Sequence, residues 1–414
     1  MELLQVDTLE TARGKLRACL LETPLQTEEA VFPAAFGRIL AEDLRAEEDI
    51  PAFKRSTVDG YALAAKDTAA AGTSIPALLR QVGAVEMGRP AEITLQAGEC
   101  AYVPTGGMVP AGADAVVMVE YCQTFGQAGV AVSAAVAAGE NIVLPGDDVS
   151  RGARLLARGA RLRVREEALL AAAGIRRLQV YTPLRVAVIS TGNELVPPET
   201  RPRPGQVRDV NTTALAALAR AAGFRVETTA VLADDAELLL ATARRAALSC
   251  DLVLISGGSS QGEDDLTAAV LARAADQGLC AHGLALKPGK PTILAYDRAT
   301  RTVFVGLPGH PLSALIVFDL LIAQVWRELT GAAGMPALPA MLTRPVAGSP
   351  GKDTVQLVAL TGGESGQYLA APLFTKSGLV SGLARADGYI LIDRNTEGLR
   401  RGATVRVELF DPGV

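Results

Sequence analysis

Between Leu184 and about residue 330, apolar and polar positions alternate in a regular way. RVAVIS (185–190) is an apolar run of strand length, and RVETTAVL (225–232) is strand-like. NTTALAALARAAG (211–223) carries Leu and Ala at helical spacing, with Asn211 as its expected N-cap and Gly223 as its stop. AELLLATARRAAL (236–248) predicts a helix, DLVLISGG (251–258) a buried strand, DLTAAVLARAA (265–275) a helix and VFVGLPG (303–309) a strand. Strands alternating with helices predict a mostly parallel sheet covered on both faces. The run PLSALIVFDLLIAQVW (311–326) is strongly apolar, but Asp319 and Gln324 interrupt it and Arg327 and Glu328 follow at once. A bilayer span needs ~20 mostly apolar residues, so this run predicts a buried core helix and no membrane association.

The flanks differ in pattern. Residues 1–45 carry Leu and Ala at mixed helical spacing and predict helix. DIPAFKRSTVDGYAL (49–63) is turn-rich, and residues 78–145 are short Val- and Ala-rich runs broken by Gly and Pro, which predicts β structure. Helix is expected again over 150–180, where an arginine-dense stretch reads as a solvated face. Residues 337–414 return to short β runs. The expected fold is a multidomain α/β plus β protein. A helical linker domain is made of 1–50 and 146–180, a β-rich module is inserted at 51–145, an α/β domain covers 181–332, and a β-rich domain covers 333–414.

Composition narrows the classes. With 49% hydrophobic and 21% charged residues the chain of 414 is globular and longer than one ordinary domain. A net charge of −5 argues against a nucleic-acid coat protein. Five separated cysteines with no C-x-x-C pair argue against a zinc knuckle and a disulfide framework. The N-terminus lacks the apolar core of a signal peptide, so a reducing, cytoplasmic setting is expected.

In open α/β sheets, ligands bind outside the carboxyl ends of the strands. The segments following the predicted strands are STGNEL (190–195), Ala233-Asp234-Asp235, SGGSSQGEDD (256–265) and LPGHP (307–311), all polar, Gly-rich or acidic. Ser256, Gly257, Gly258 and Ser259 can bring backbone N–H groups and hydroxyls to a phosphate. Glu263, Asp264 and Asp265 fit two readings, capping the next helix or holding Mg²⁺ against phosphates, and Glu194 and Asp234 on neighbouring strand ends extend the second. Lys287 and Lys290 flank a Pro-Gly turn in LKPGKP (286–291), which suits an anion as well as an exposed solvated turn. His310 fits a structural role better than a chemical one, and Pro308 and Pro311 stiffen its loop. No G-x-S-x-G elbow is present.

Taken with PAFKRSTVDGYAL (51–63), VPTGGMVPAGADAVVMVE (103–120), GDDV (146–149) and GQVRDVN (205–211), these segments in this order resemble the MoeA family of molybdopterin molybdenumtransferases, relatives of the gephyrin E domain. The resemblance covers nearly the whole chain. It implies a four-part homodimer that inserts molybdate into adenylylated molybdopterin with Mg²⁺, releasing AMP, and that meets other proteins of molybdenum-cofactor biosynthesis. It implies Asp59, Asp234, Asp265 and Lys287 as catalytic positions, and Glu194, Asp234 and Asp265 as metal-handling positions. It implies substrate contacts at Thr105, Asp148, Lys290, Pro308, Pro311 and Ser377, with Asp59, Thr105 and Asp148 completing a site across the dimer interface. The chain departs from the family pattern at His310, Gly283, Val143-Leu144-Pro145 and Leu357, where relatives often carry Asn or basic residues. These departures leave open a tungstate-preferring variant and a non-catalytic molybdopterin-binding scaffold or carrier, and the central domain taken alone would also fit a molybdopterin adenylyltransferase.

Overall fold

The computed structural model describes residues 6–22, 24–258, 265–363, 366–374, 378 and 380–410. The chain forms two compact units: Met1–Glu42 with Arg158–Glu167 and Arg177–Val414, and Asp43–Ala157 with Ala168–Arg176.

At the centre of the first unit is a six-stranded sheet made of β1 (Arg185–Thr191), β2 (Arg225–Leu232), β3 (Leu252–Ser256), β4 (Leu279–His282), β5 (Ile293–Asp297) and β6 (Thr302–Leu307), in the order β2-β1-β3-β6-β5-β4. Strands β2, β1, β3 and β6 are parallel, whereas β5 runs antiparallel to both β6 and β4. Alternate residues feed two cores, as the pleat requires. Val186, Val188, Leu252, Leu254, Val303 and Val305 face α1 (Leu9–Leu21), α3 (Asn211–Ala221) and the helix opening at Pro311. Ala187, Ile189, Val253, Ile255 and Phe304 face α4 (Ala236–Ala247) and α5 (Leu266–Ala274). Each fully buried Leu or Ile of this kind contributes about 1.5–3 kcal/mol of apolar transfer, which explains why the strand runs are almost wholly apolar.

The helix from Pro311 comprises α6 (Pro311–Val317), a π-helical stretch Phe318–Ala323 and α7 (Gln324–Thr330), closed by Gly331 at φ 75°. Its interior position is that of a core helix, and among the described residues no helix is long and apolar enough to cross a membrane. Its one interior acid is partnered: Asp319 accepts from Arg327 at 3.2 Å and from the Tyr389 hydroxyl at 2.8 Å. The Leu320 carbonyl in the π-helical stretch accepts from Arg13 Nε at 2.7 Å, which ties α1 to it.

In the C-terminal part, Asp353–Gly362, Tyr368–Pro372, Ala337–Leu342, Thr404–Leu409 and Gly388–Ile392 close on themselves through the Asp353–Gly362 to Gly388–Ile392 pairing, forming a small barrel around Leu342, Val358, Ile390 and Val407. Leu286–Lys287 joins it as an extra edge strand. The second unit carries its own six-stranded sheet, with Gly60–Leu63 between Ala115–Met118 and Glu99–Val103.

Several expectations are corrected. Helix over 1–45 holds only for α1; Thr27–Val31 is instead a strand paired with Arg177–Tyr181, and Ile39 and Leu40 bridge to Arg161 and Val180. Over 150–180 the helix is confined to α2 (Val164–Ala172). These ladders draw their partners from more than a hundred residues away, so local periodicity carries no sign of them. The arginine-dense stretch is not merely solvated, since Arg158 Nε donates to the Tyr181 hydroxyl at 2.6 Å and Arg161 to the Gly37 and Ala221 carbonyls. Asn211 does not cap α3: it is the first helical residue, and Asp209 Oδ1 accepts from Thr212 N at 3.2 Å instead.

Candidate functional site

Parallel pairing puts the ends of β1, β2, β3 and β6 (Thr191, Leu232, Ser256 and Leu307) on one edge of the central sheet. Because β5 starts there, with Ile293 opposite Gly306, and β4 ends there at His282, the Lys287–Lys290 turn between them leaves from the same edge. The four sequence-predicted strand ends and the lysine turn therefore share one rim of the fold.

The floor of that rim is a stitched polar network. Asn211 Nδ2 donates to Ser256 Oγ and to the Gly309 carbonyl, both at 2.7 Å. Ser256 Oγ donates to the Pro308 carbonyl at 3.2 Å, and Thr267 Oγ1 donates to the Gly257 carbonyl at 2.7 Å. Ser190 and Thr212 share a hydrogen bond of 2.7 Å beneath. Gly257 stands at φ 106°, and a Cβ there would lie 2.1 Å from the Thr191 carbonyl oxygen, so only glycine lets β1 and β3 end this closely. Gly258 and the buried Pro308 continue the same surface, and Pro311 opens α6 at its N-terminus.

The acids are placed differently from one another. Asp234 clasps two neighbouring strand ends: Oδ1 accepts from Thr191 Oγ1 at 2.8 Å and Oδ2 from Asn193 N at 3.4 Å, while Asp234 N donates to Asn193 Oδ1 at 3.1 Å. Asp265 caps α5 through Ala268 N at 2.9 Å, and its Oδ2 lies 3.7 Å from His282 Nε2 on β4. Glu194 is exposed, its carboxylate folded back over Gly192. Lys287 is exposed at the end of the strand joining the C-terminal barrel, and Lys290 is half-buried with its carbonyl accepting from Leu284 and Thr292.

In the second unit, Asp59 and Thr105 are in direct contact: Asp59 Oδ1 accepts from Thr105 N at 2.7 Å and from its hydroxyl at 3.1 Å. Gly60 fixes the position of Asp59, because a Cβ there would meet the Val117 carbonyl at 2.0 Å. Asp148 is exposed, with its N–H on the Ile50 carbonyl. Ser259, Ser260, Glu263, Asp264 and Ser377 lie outside the described residues.

A divalent cation can be tested against this donor set. Carboxylate oxygens are the right chemical class for Mg²⁺, yet among the described residues no three His, Cys, Asp or Glu side chains gather to hold a metal. Asp234 and Asp265 are committed to hydrogen bonds within the fold, and Glu194 is exposed with its carboxylate against Gly192. Such a rim fits an ion that arrives with phosphate oxygens and waters and touches one carboxylate or two, not a closed protein cage.

Asn211 stands at this rim without having been marked as a candidate by its place in the sequence. Three buried side-chain atoms among the described residues have no hydrogen-bond partner, namely Glu167 Oε1, Trp326 Nε1 and Asn211 Oδ1, and only the last stands at the rim. Its signal in the sequence, an Asn at a helix start, is indistinguishable from a cap. A cavity of about 810 Å³ lies elsewhere in this unit, along the flank of α3 (Ala214, Ala217, Leu218) toward Arg161, Arg327, Met335 and Phe410. It is mostly apolar, and no strand end contributes to it.

Comparison with known proteins accounts for nearly the full length. Residues 8–174 match the MoeA N-terminal region (domain I and II), 187–328 the probable molybdopterin binding domain, and 339–410 the MoeA C-terminal region (domain IV). The molybdopterin molybdenumtransferase of Haemophilus influenzae is 31% identical over 408 residues, covering 98% of both chains. That of Bacillus subtilis is 31% identical over 401 residues, covering 95% of this chain and 92% of its own. A crystal structure of the molybdopterin biosynthesis moeA protein from Pyrococcus horikoshii OT3 superposes with a TM-score of 0.82 at 29% identity, covering 98% of this chain and 100% of that one. A second moeA structure from Pyrococcus gives 0.79 at 34% identity over 99% and 100%.

Proposed function

The chain belongs to the MoeA family of molybdopterin molybdenumtransferases, enzymes of molybdenum cofactor biosynthesis, and from that premise we propose that it inserts molybdate into adenylylated molybdopterin and releases AMP. The observation that carries this reading is the single rim on which the Gly257-Gly258 turn, Asp234, Asp265 and the Lys287–Lys290 turn all stand. In the proposed reaction, water attacks a phosphorus of the anhydride, the P–O bond to the AMP leaving group breaks, and the dithiolene sulfurs take molybdate with loss of an oxygen as water. Backbone N–H groups at the Gly257-Gly258 turn and at the start of α5 orient the phosphates. The Lys287 and Lys290 ammonium groups offset the charge of phosphate and oxyanion. Asp234, by joining the Thr191 and Asn193 segments, and Asp265, by capping α5, hold the loops in the geometry that binding needs, and the exposed Glu194 is the acid available to the substrate's charge-balancing ion. Mg²⁺, when bound with the substrate, supplies neutralisation of anhydride oxygens. The working form proposed is a homodimer to which Asp59, Thr105 and Asp148 contribute further site residues.

The test uses purified protein with adenylylated molybdopterin, Mg²⁺ and molybdate, reading AMP by chromatography and cofactor by reconstitution of an apo-molybdoenzyme. AMP release and active cofactor are expected in step. Asp265→Ala should depress both while weakening the α5 cap by only about 1 kcal/mol; undiminished turnover in that variant would remove Asp265 from the site. Replacing molybdate by tungstate in the same assay reads the oxyanion preference.

A further inference from the structure

The orphaned oxygen of Asn211 is the least expected feature of the rim. Asn211 is 8% exposed, and its amide cannot be turned over. The Gly309 carbonyl at 2.7 Å only accepts, so the nitrogen must face it, and the same nitrogen serves Ser256 Oγ. Oδ1 is thereby pointed away from every donor in the described structure. A buried acceptor without a donor is destabilising by about 1–3 kcal/mol, and here it is held in place by neighbours that are themselves fully bonded. Ser256 is 1% exposed and saturated, and α3 is already capped by Asp209, so the helix start does not need this side chain.

We infer that Asn211 Oδ1 reads an exocyclic amino group on the substrate's heterocycle, and so acts as a specificity-determining residue of the site. This rests on the proposed function. An amino group on an aromatic heterocycle suits this acceptor: it is planar and donates without carrying charge. An oxo group in the same place would set two acceptors against each other in a desolvated position, the arrangement against which discrimination is largest. Both the pterin and the adenine of the proposed substrate carry such an amino group, and the chemistry of recognition is the same for either.

The experiment distinguishes the two sources by calorimetric binding to the full-length protein. One pair of probes is AMP and inosine monophosphate, which differ by an amino group replaced with oxygen. The other is a pterin and the corresponding lumazine bearing the same phosphate side chain, which differ in the same way. Wild type is expected to prefer the amino member of one pair by about 10-fold or more, and the pair that shows the preference names the ring that is read. Asn211→Ala should bind both members within about 2-fold, since the acceptor is gone. A wild type that binds pterin or adenine phosphates without preference in either pair overturns the inference while leaving the proposed function standing. A preference that survives Asn211→Ala overturns it too, and assigns the residue a structural role. Failure of wild type to bind any of the four probes overturns both.

Discussion

The two edges of the central sheet are built from the same strands and end in opposite ways. At the amino edge Asp251 accepts from the N–H, Nε and Nη2 of Arg185, its own N–H and carbonyl join β1 to β6, and Thr302 Oγ1 reaches the Ala247 and Cys250 carbonyls. That pairing pushes the Arg185 guanidinium still further up from its ordinary value. Asp297, at the same edge, is closed by Thr300 and Asp276. Every polar group named there is spoken for. At the carboxyl edge the network is just as dense, but it is built on glycine turns and leaves Asn211 Oδ1 open. One edge completes the fold within itself; the other stops one hydrogen bond short.

The comparison can be broken or sharpened by substitution. The largest effect is expected at the carboxyl edge. Lys287→Ala should lower AMP release on the order of 100-fold while shifting the melting temperature little, because Lys287 is exposed; a comparable loss of stability would make this edge structural after all. At the amino edge the pattern should invert. Asp251→Ala removes the partner of a half-exposed Arg185 (48% against 32% for the two side chains) and one backbone cap, so about 1–2 kcal/mol of stability should go with turnover of the folded enzyme unchanged. The smallest effect is a difference between two cysteines. Cys280 on β4, two residues from the carboxyl edge, is drawn down to about 7 by hydrogen bonding from Cys19. Burial pushes the Cys250 thiol, at the amino edge, upward. Cys280 should be a thiol below that value and a thiolate above it. Peptide mapping after brief iodoacetamide pulses should therefore show Cys280 labelling rising with a midpoint near pH 7, and Cys250 unlabelled throughout that range.

How much of this was legible in the chain varies with the range of the forces involved. The alternation from 184 to 330 was readable because each strand and helix there records its own burial: Val186 and Val188 face one core and Ala187 and Ile189 the other. The strand ends could be listed in advance, and their meeting on one edge follows from parallel pairing alone. The turn of β5 against the rest was not readable, since VFVG and ILAYD look alike in composition. Residues 27–31 were taken for helix because their partners at 177–181 are invisible to any local window. Asn211 reads as a cap because Asn at a helix start commonly is one, and only the position of Asp209 on Thr212 N shows otherwise.

The α1 helix has a consequence for anyone who would divide this protein. Leu9, Ala12 and Leu16 are sunk in the same core as β3 and β6, and the Arg13 guanidinium grips the widened turn at Leu320. A gene fragment that begins at residue 181 and ends at 332 would lose that plug and present a greasy trench to solvent. The central sheet, in other words, borrows part of its cover from residues 9–21, a segment remote in sequence from the strands and the 318–330 helix it packs on.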